Sequence, residues 1–457
     1  MTALTITNPA DGSKLAELPS DDAASVAAKA ARARAAQPAW AATPLADRIA
    51  CIARFRGAVA SELEALAKTL TQEVGKPLSQ SRNELNGFLA RIDFFLAQVA
   101  ASTAAETVFS DASMTERIDH DPLGVVANIS AWNYPYFVGG NVFVPALLTG
   151  NAVLYKPSEF AALTGLHIDR LLHAAGIPTD VFITFVGAGE VGAALLAQKV
   201  DGVFFTGSAA TGAKIAAQMG ARMVRLQLEL GGKDPTYVAD DADPKVAAES
   251  LADGAMYNTG QSCCSVERIY VHEKLHDAFV EHFLATVRGF KVGDPMAEGT
   301  YIGPITRPPQ MAVLASQVED AVAKGAQLRT GGKRIEGAGS WFEPTVLTHA
   351  DHTMALMQDE SFGPVIGIQK VASDDEALAL MNDTRYGLTA GMFTKSEERA
   401  RRLLGRVNAG SVYWNCCDRV SPRLPWSGHG ESGVGVTLST YGIQAFTRPR
   451  AWHLRSP

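Results

Sequence analysis

The chain has no run of lysine or arginine, and its net charge at pH 7 is -7. That balance argues against a nucleic-acid-binding protein. Cysteine is scarce: five in 457 residues do not make a disulfide framework, so a reducing cytoplasm is the expected compartment. The pairs Cys263-Cys264 and Cys416-Cys417 lack the spacer that lets two thiolates turn toward one ion, so no metal site is expected. The start, Met1-Thr2-Ala3-Leu4-Thr5-Ile6, lacks the basic and apolar regions of a signal peptide. No internal repeat or low-complexity segment is present. Charge is also missing from Leu123 to Tyr155, a stretch long enough to cross a bilayer. Pro135, Pro145, several glycines and Asn128, Asn133, Asn141 and Asn151 interrupt it. A buried strand, turn and helix of an α/β core fits better, and no membrane partner is expected.

What is present is the composition of a globular protein, 47% hydrophobic and 19% charged. The length exceeds what one core serves, so two or three domains are expected. Asp21 and Asp22 predict the N-cap of an Ala-rich helix to about Ala36. Helical patterns follow over Pro44 to Gly75 and Leu78 to Ala101, and most of these residues read as scaffold. Thr107 to Asp119 is short, half-polar and strand-like. Buried strands are then predicted at Pro122–Ile129, Ala152–Lys156, Val181–Val186 and Gly202–Thr206, each followed by a turn and a helix. Such alternation signals a parallel sheet with right-handed crossovers. After Glu229 it begins again, with strands at 236–238, 268–271 and 364–367. The tail from Ala445 to Leu454 alternates like a strand that needs a partner edge.

The centre of the chain's chemistry is Tyr257-Asn258-Thr259-Gly260-Gln261-Ser262-Cys263-Cys264. A thiol among small, flexible neighbours on a loop can approach a substrate closely, and a thiolate is a strong nucleophile. Glu229-Leu230-Gly231-Gly232-Lys233 places a carboxylate in apolar surroundings. Burial raises a carboxyl pKa, which suits a general base near neutrality. The alternative is a structural ion pair of Glu229 with Lys233. Two glycine loops compete for a pyrophosphate. Gly187-Ala188-Gly189-Glu190-Val191-Gly192 matches the dinucleotide fingerprint literally, but no acidic residue follows about 20 positions on, and Glu190 would face the phosphates. Thr206-Gly207-Ser208 offers hydroxyls and free amides at a helix N-terminus with no nearby acid and is preferred.

These motifs, together with Trp132-Asn133-Tyr134-Pro135, Lys156-Pro157-Ser158-Glu159, Glu360-Ser361-Phe362-Gly363-Pro364 and Asn415, resemble the aldehyde dehydrogenase superfamily in order and spacing across essentially the whole chain. The resemblance implies that Cys263 is the nucleophile. Asn133, with the Cys263 amide, forms the oxyanion hole, and Glu229 activates the deacylating water. It implies NAD as cofactor, with NADP possible. Lys156 and Glu159 would hold the adenosine ribose, and Gly207 and Ser208 the pyrophosphate. Glu360 would hold the nicotinamide ribose with Phe362 beside the ring, and Trp132, Ser158 and Leu230 complete the set. By the family pattern Val138, Asn141, Ser262, Cys264, Val420 and Trp426 line the aldehyde tunnel. They suggest a medium-sized aliphatic or aromatic aldehyde, while Arg419 and Arg423 leave open a semialdehyde such as succinate semialdehyde. Glu159 would repel a 2′-phosphate, which favours NAD.

The chain departs from the family's common pattern at Val142, where many members have lysine. It departs again at Thr437, where many have a glutamate thought to relay protons, at Pro425-Trp426-Ser427-Gly428-His429, and at Asp234. The implied fold is α/β, with a Rossmann-type cofactor domain (about 1–103 and 123–229), a second α/β catalytic domain (230–431) and a small β oligomerisation arm (104–122 and 432–457). A homodimer or homotetramer is expected. The rivals are a CoA-acylating enzyme, against which Glu229 argues, a cofactor-free thiol esterase, and a non-catalytic nucleotide-binding protein on the same scaffold.

Overall fold

The computed structural model describes residues 3–456; Met1, Thr2 and Pro457, at the outer limits of the expected domains, lie outside the described residues. Val125–Ile129 sits inside a six-stranded sheet, and all five of its residues are buried. The strand order is Gly433–Val434, Arg225–Glu229, Gly202–Thr206, Val125–Ile129, Ala152–Lys156, Phe182–Thr184. Every neighbouring pair is parallel except the first. The apolar run Leu123 to Tyr155 folds as two buried strands around the helix Pro135–Leu148. Among the described residues no helix is long and apolar enough to cross a membrane.

From Val125–Ile129 the chain steps outward to Ala152–Lys156 and Phe182–Thr184. It then crosses back to Gly202–Thr206 on the other side. The sheet's direction of growth reverses between Val125–Ile129 and Gly202–Thr206, and ligands of open α/β sheets bind at the carboxyl ends of strands at such a point. Trp132 and Asn133 follow one of these strands; Gly207 and Ser208 follow the other.

A second sheet has seven strands in the order Gln327–Thr330, Thr345–Thr348, Val365–Val371, Val266–His272, Asp234–Val238, Thr389–Phe393, Ser411–Trp414. It is parallel except at its first pair. Four of these strands, Gln327–Thr330, Thr345–Thr348, Thr389–Phe393 and Ser411–Trp414, are not among those expected from the sequence. The expected helix over Pro44 to Gly75 is two helices, Leu45–Ser61 and Leu63–Val74, broken where Glu62 leaves helical geometry and ended by Gly75 at φ 80. Asp22 does cap Ala23–Ala42, accepting from the Ser25 amide.

The tail finds its partner edge. Thr447–Arg455 pairs antiparallel with Met114–Pro122 over nine residues, and Glu106–Ser110 pairs on the other side. Residues 433–446, expected in this arm, instead belong with the first sheet. Gly433–Val434 pairs with Arg225–Glu229, and Leu438, Ile443 and Phe446 are fully buried in the core around Phe55, Phe88 and Phe143. Their apolar side chains had no place on the thin, exposed arm.

Candidate active site

Three motif loops far apart in sequence lock together backbone against backbone. Gly260 has φ +68, and a Cβ there would lie 2.2 Å from the Gly363 carbonyl oxygen. A Cβ on Gly232 would meet the Cys263 carbonyl at 2.8 Å, and one on Gly231 would meet the Glu360 carboxylate at 2.4 Å. Glycine is required at Gly260 on both counts. Asn258 and Thr259, both at positive φ, shape the same turn. The loops are pinned by a buried network: Lys233 Nζ donates to Glu267 at 2.6 Å and to Ser361 Oγ at 3.0 Å. Glu267 also accepts the amides of Ser361 and Phe362. Lys233 is therefore paired with Glu267, and the ion pair of Lys233 with Glu229 is not formed.

Glu229 ends the strand Arg225–Glu229 and is 7% exposed. Desolvation pushes its carboxyl up to about 8, against donations from the side chains of Trp426 and Gln227. Gln227 Nε2 lies 3.1 Å from one carboxylate oxygen, while the other meets no hydrogen-bond partner among the described residues. Gln227 was missed from sequence, although residues two apart on a strand share a face. Asn133 is buried and spends one amide N–H on the Gln261 carbonyl at 3.2 Å; an amide group carries a second. Cys263 is half-buried.

Cys263, Glu229 and Asn133 line one cleft of about 780 Å³, together with Trp132, Lys156, Ser158, Glu159, Gly207, Ser208, Leu230, Glu360 and Phe362. All twelve residues assigned from sequence to catalysis and cofactor binding thus meet in one space. Ser208 caps the helix Ala209–Gly220, whose first amides have no acceptor within the helix. Lys156 and Glu159 stand 3.7 Å apart at the cleft. Glu360 accepts the Gly232 amide at 3.1 Å, and burial followed by the charge of Glu267 raises its carboxyl. Trp132 and Phe362 meet edge-on with centroids 5.6 Å apart. Gly189 and Gly192 of the literal fingerprint also border the cleft.

The sequence matches the model of the Aldehyde dehydrogenase family over residues 2–452. This chain belongs to the aldehyde dehydrogenase family. It is an NAD(P)-dependent enzyme that oxidises aldehydes to carboxylic acids. It is 35% identical to the 3,6-anhydro-alpha-L-galactose dehydrogenase of Streptomyces coelicolor over 99% of this chain and 93% of that protein. It is 32% identical to the NADP(+) succinate-semialdehyde dehydrogenase of Deinococcus radiodurans, over 97% of this chain and 93% of that one. Among solved structures, the NAD-dependent aldehyde dehydrogenase of Sinorhizobium meliloti superposes with a TM-score of 0.96 at 32% identity, covering 99% of this chain and 91% of that one.

The six residues expected to line this aldehyde dehydrogenase's tunnel lie outside that cleft. Cys264 is buried and donates to Asp418 at 2.9 Å; Ser262 Oγ is 3.4 Å from its sulfur. Asn141 is buried and accepts from Arg91. Val420 packs against the first core, and Val138 is half-buried. Trp426 is 7% exposed within that core and acts on Glu229, and its backbone bridges Thr437. Arg419 and Arg423 are exposed surface charges. Asp234, unexplained in sequence, accepts both the amide and the hydroxyl of Thr389, at 3.1 and 2.6 Å.

Proposed function

We propose that the enzyme works through a covalent thioester on Cys263. The observation that carries this reading is the meeting of Cys263, Glu229 and Asn133 in a single cleft. The Cys263 thiolate adds to the aldehyde carbon and makes a tetrahedral alkoxide. The free N–H of Asn133 and the Cys263 amide donate to that oxygen, at about 3–4 kcal/mol per donor in comparable oxyanion holes. Bound at Lys156, Ser158, Glu159, Gly207, Ser208 and Glu360, with Trp132, Leu230 and Phe362 around it, the nicotinamide cofactor supplies the hydride acceptor. Glu229 then takes a proton from the water that attacks the thioester, which frees the carboxylic acid. NAD is preferred, because Glu159 disfavours a 2′-phosphate.

The substrate is a medium-sized aliphatic or aromatic aldehyde or a semialdehyde. Reported relatives are named for a semialdehyde and for a sugar-derived aldehyde, so the substrate side varies within this fold. The protein is a cytoplasmic homodimer or homotetramer built through the arm. Glu106–Ser110 and Thr447–Arg455 are its outer strands, and Val108, Trp452 and Leu454 stand exposed on it. The five cysteines are free, as a reducing compartment permits. The test follows NADH absorbance with wild type, Cys263→Ala and Glu229→Gln over an aldehyde panel, with and without CoA. Steady turnover in wild type, none in Cys263→Ala and a stalled burst in Glu229→Gln are expected. Turnover that requires CoA would make the enzyme an acylating one, and silence in wild type would favour a binding protein.

A further inference from the structure

The cleft around Cys263 is lined by three cations, Lys156, Lys214 and Arg307, and by three carboxyls, Glu159, Glu229 and Glu360. Of the cations only Lys156 is in an ion pair among the described residues, with Glu159 at 3.7 Å. Desolvation pushes the other two carboxyls up to about 8, so both are largely neutral at pH 7. Lys214 and Arg307 stand exposed at the cleft with no carboxylate to answer them. The cleft is therefore cationic before anything binds, and an anion would balance it. A dinucleotide brings one in its pyrophosphate.

Position separates the two cations. Lys214 lies five residues past Ala209, the first residue of the helix Ala209–Gly220, about 7.5 Å of rise from the N-terminal amides. That carries it away from the pyrophosphate end marked by Gly207 and Ser208.

Arg307 is anchored beside the reacting end. The Thr306 amide donates to Gln261 Oε1 at 2.9 Å, and Gln261 is two residues before Cys263. Gln310 Nε2 donates to the Ser361 carbonyl at 2.6 Å, next to Glu360. Arg307 thus stands between a residue tied to the nucleophile's loop and one tied to the loop of the nicotinamide ribose. Its backbone is preset. A Cβ on Gly303 would lie 2.2 Å from the Gly75 carbonyl oxygen, and Thr306 Oγ1 donates to the Val74 carbonyl. The Arg307 carbonyl accepts the Gln310 amide at 2.9 Å, and Pro308 and Pro309 fix φ at the next two positions. Only the side chain is left free to move. Gln310 and the 42% exposed Val313, one turn apart on the helix Gln310–Ala323, continue the same wall of the cleft.

We propose that Arg307 is a further cofactor-binding residue, whose guanidinium folds across the cleft and binds the nicotinamide-side phosphate of the dinucleotide. The donor set fits that group. A guanidinium gives a phosphate two parallel charge-assisted bonds, where the helix amides after Ser208 give neutral ones. The inference rests on Gly207 and Ser208 holding the pyrophosphate.

Titration calorimetry of NAD, ADP-ribose and AMP on wild type, Arg307→Met, Arg307→Lys and Lys214→Met tests it without turnover. AMP lacks the nicotinamide-side phosphate, and ADP-ribose keeps it without the nicotinamide ring. Arg307→Met should weaken NAD and ADP-ribose by about tenfold, the scale of one charge-assisted contact at an exposed site, and leave AMP within about twofold. Arg307→Lys should recover part of the loss. The loss should shrink in about 0.5 M salt, where exposed charges are screened. Lys214→Met should keep the wild-type ratio of ADP-ribose to AMP affinity. A urea melt of Arg307→Met should match wild type, because the side chain is exposed. Unchanged affinity for NAD and ADP-ribose in Arg307→Met would make Arg307 a solvated surface charge and overturn the proposal. Equal weakening of AMP would overturn it too, as would a fall in the ADP-ribose to AMP ratio in Lys214→Met alone. If wild type binds none of the three nucleotides, the reading of the cleft as the cofactor site fails and takes this inference with it. If wild type binds them and Arg307→Met loses nothing, the inference fails alone.

Discussion

The raised carboxyl of Glu229 makes the enzyme's pH dependence the sharpest test of its mechanism. With its pKa pushed to about 8 by burial, Glu229 is about one-tenth ionised at pH 7 and about nine-tenths at pH 9. Only the ionised form takes a proton from water. Thioester hydrolysis should therefore rise about tenfold between those pH values. The first turnover, which does not use Glu229, should not follow the same curve. Stopped-flow NADH traces from pH 6 to 10 separate the two, as burst and steady rate. In Glu229→Gln the burst should survive and the steady rate should fall by about 10²–10⁴ at every pH, the usual contribution of a positioned base.

The same group is visible in stability. Its folded pKa lies above the ordinary value of 4.5, so the folded state favours the protonated form. That contribution is complete below about pH 4.5 and is lost as pH rises through about 8. Glu229→Gln removes it. The variant should gain on wild type by roughly 3–5 kcal/mol between pH 5 and pH 9, at about 1.4 kcal/mol per pKa unit. Paired urea melts across that range measure the difference and cancel the other buried carboxyls. A steady rate that is flat above pH 6, or a stability gap that does not widen with pH, would refute the assignment of Glu229 as a buried, desolvated base.

Three further outcomes follow from the site's frame. Lys233→Met strips the partner from buried Glu267 and should cost about 3–5 kcal/mol in urea unfolding, as broken buried pairs do. Gly260→Ala forces a side chain into a positive φ and against the Gly363 carbonyl. It should cost at least about 2 kcal/mol in a thermal melt and change the rate at which iodoacetamide alkylates Cys263. Glu159→Gln removes a half-exposed carboxylate at the cleft and should improve kcat/KM for NADP relative to NAD by about fivefold, the scale of a screened surface charge.

The sequence carried the chemistry better than the architecture around it. Each residue assigned from sequence to catalysis or the cofactor sits in a motif whose local composition is unusual: a glycine pair after a carboxylate, or a thiol in a polar loop. What composition cannot express is contact between motifs. Gly260 against Gly363 and Gly232 against Cys263 are backbone encounters across more than a hundred and about thirty residues. The tunnel residues were the weakest reading. Trp426 sits in the core and its backbone bridges Thr437, a pairing no local pattern announces. The segment 433–446 likewise reads as a continuation of the tail until its apolar residues meet the first core.

The departures at Thr437 and Trp426 lie beside Glu229. Val142 and Trp426 belong to one apolar cluster. Trp426 and Thr437 exchange two backbone hydrogen bonds of 2.8 and 2.9 Å, and Gly433 of the same segment pairs with Glu229 itself. Valine at 142 and threonine at 437 carry no charge. Burial then governs the carboxyl, and the side chains of Trp426 and Gln227 are left as neutral donors that favour the anion. Gln227→Leu tests that account. Losing a donor to the carboxylate disfavours its charged form, so the alkaline rise of the steady rate should move to higher pH, with the larger loss at pH 7 and a smaller one at pH 10. A uniform loss at every pH would mean that Gln227 holds the strand in place and does not tune the base.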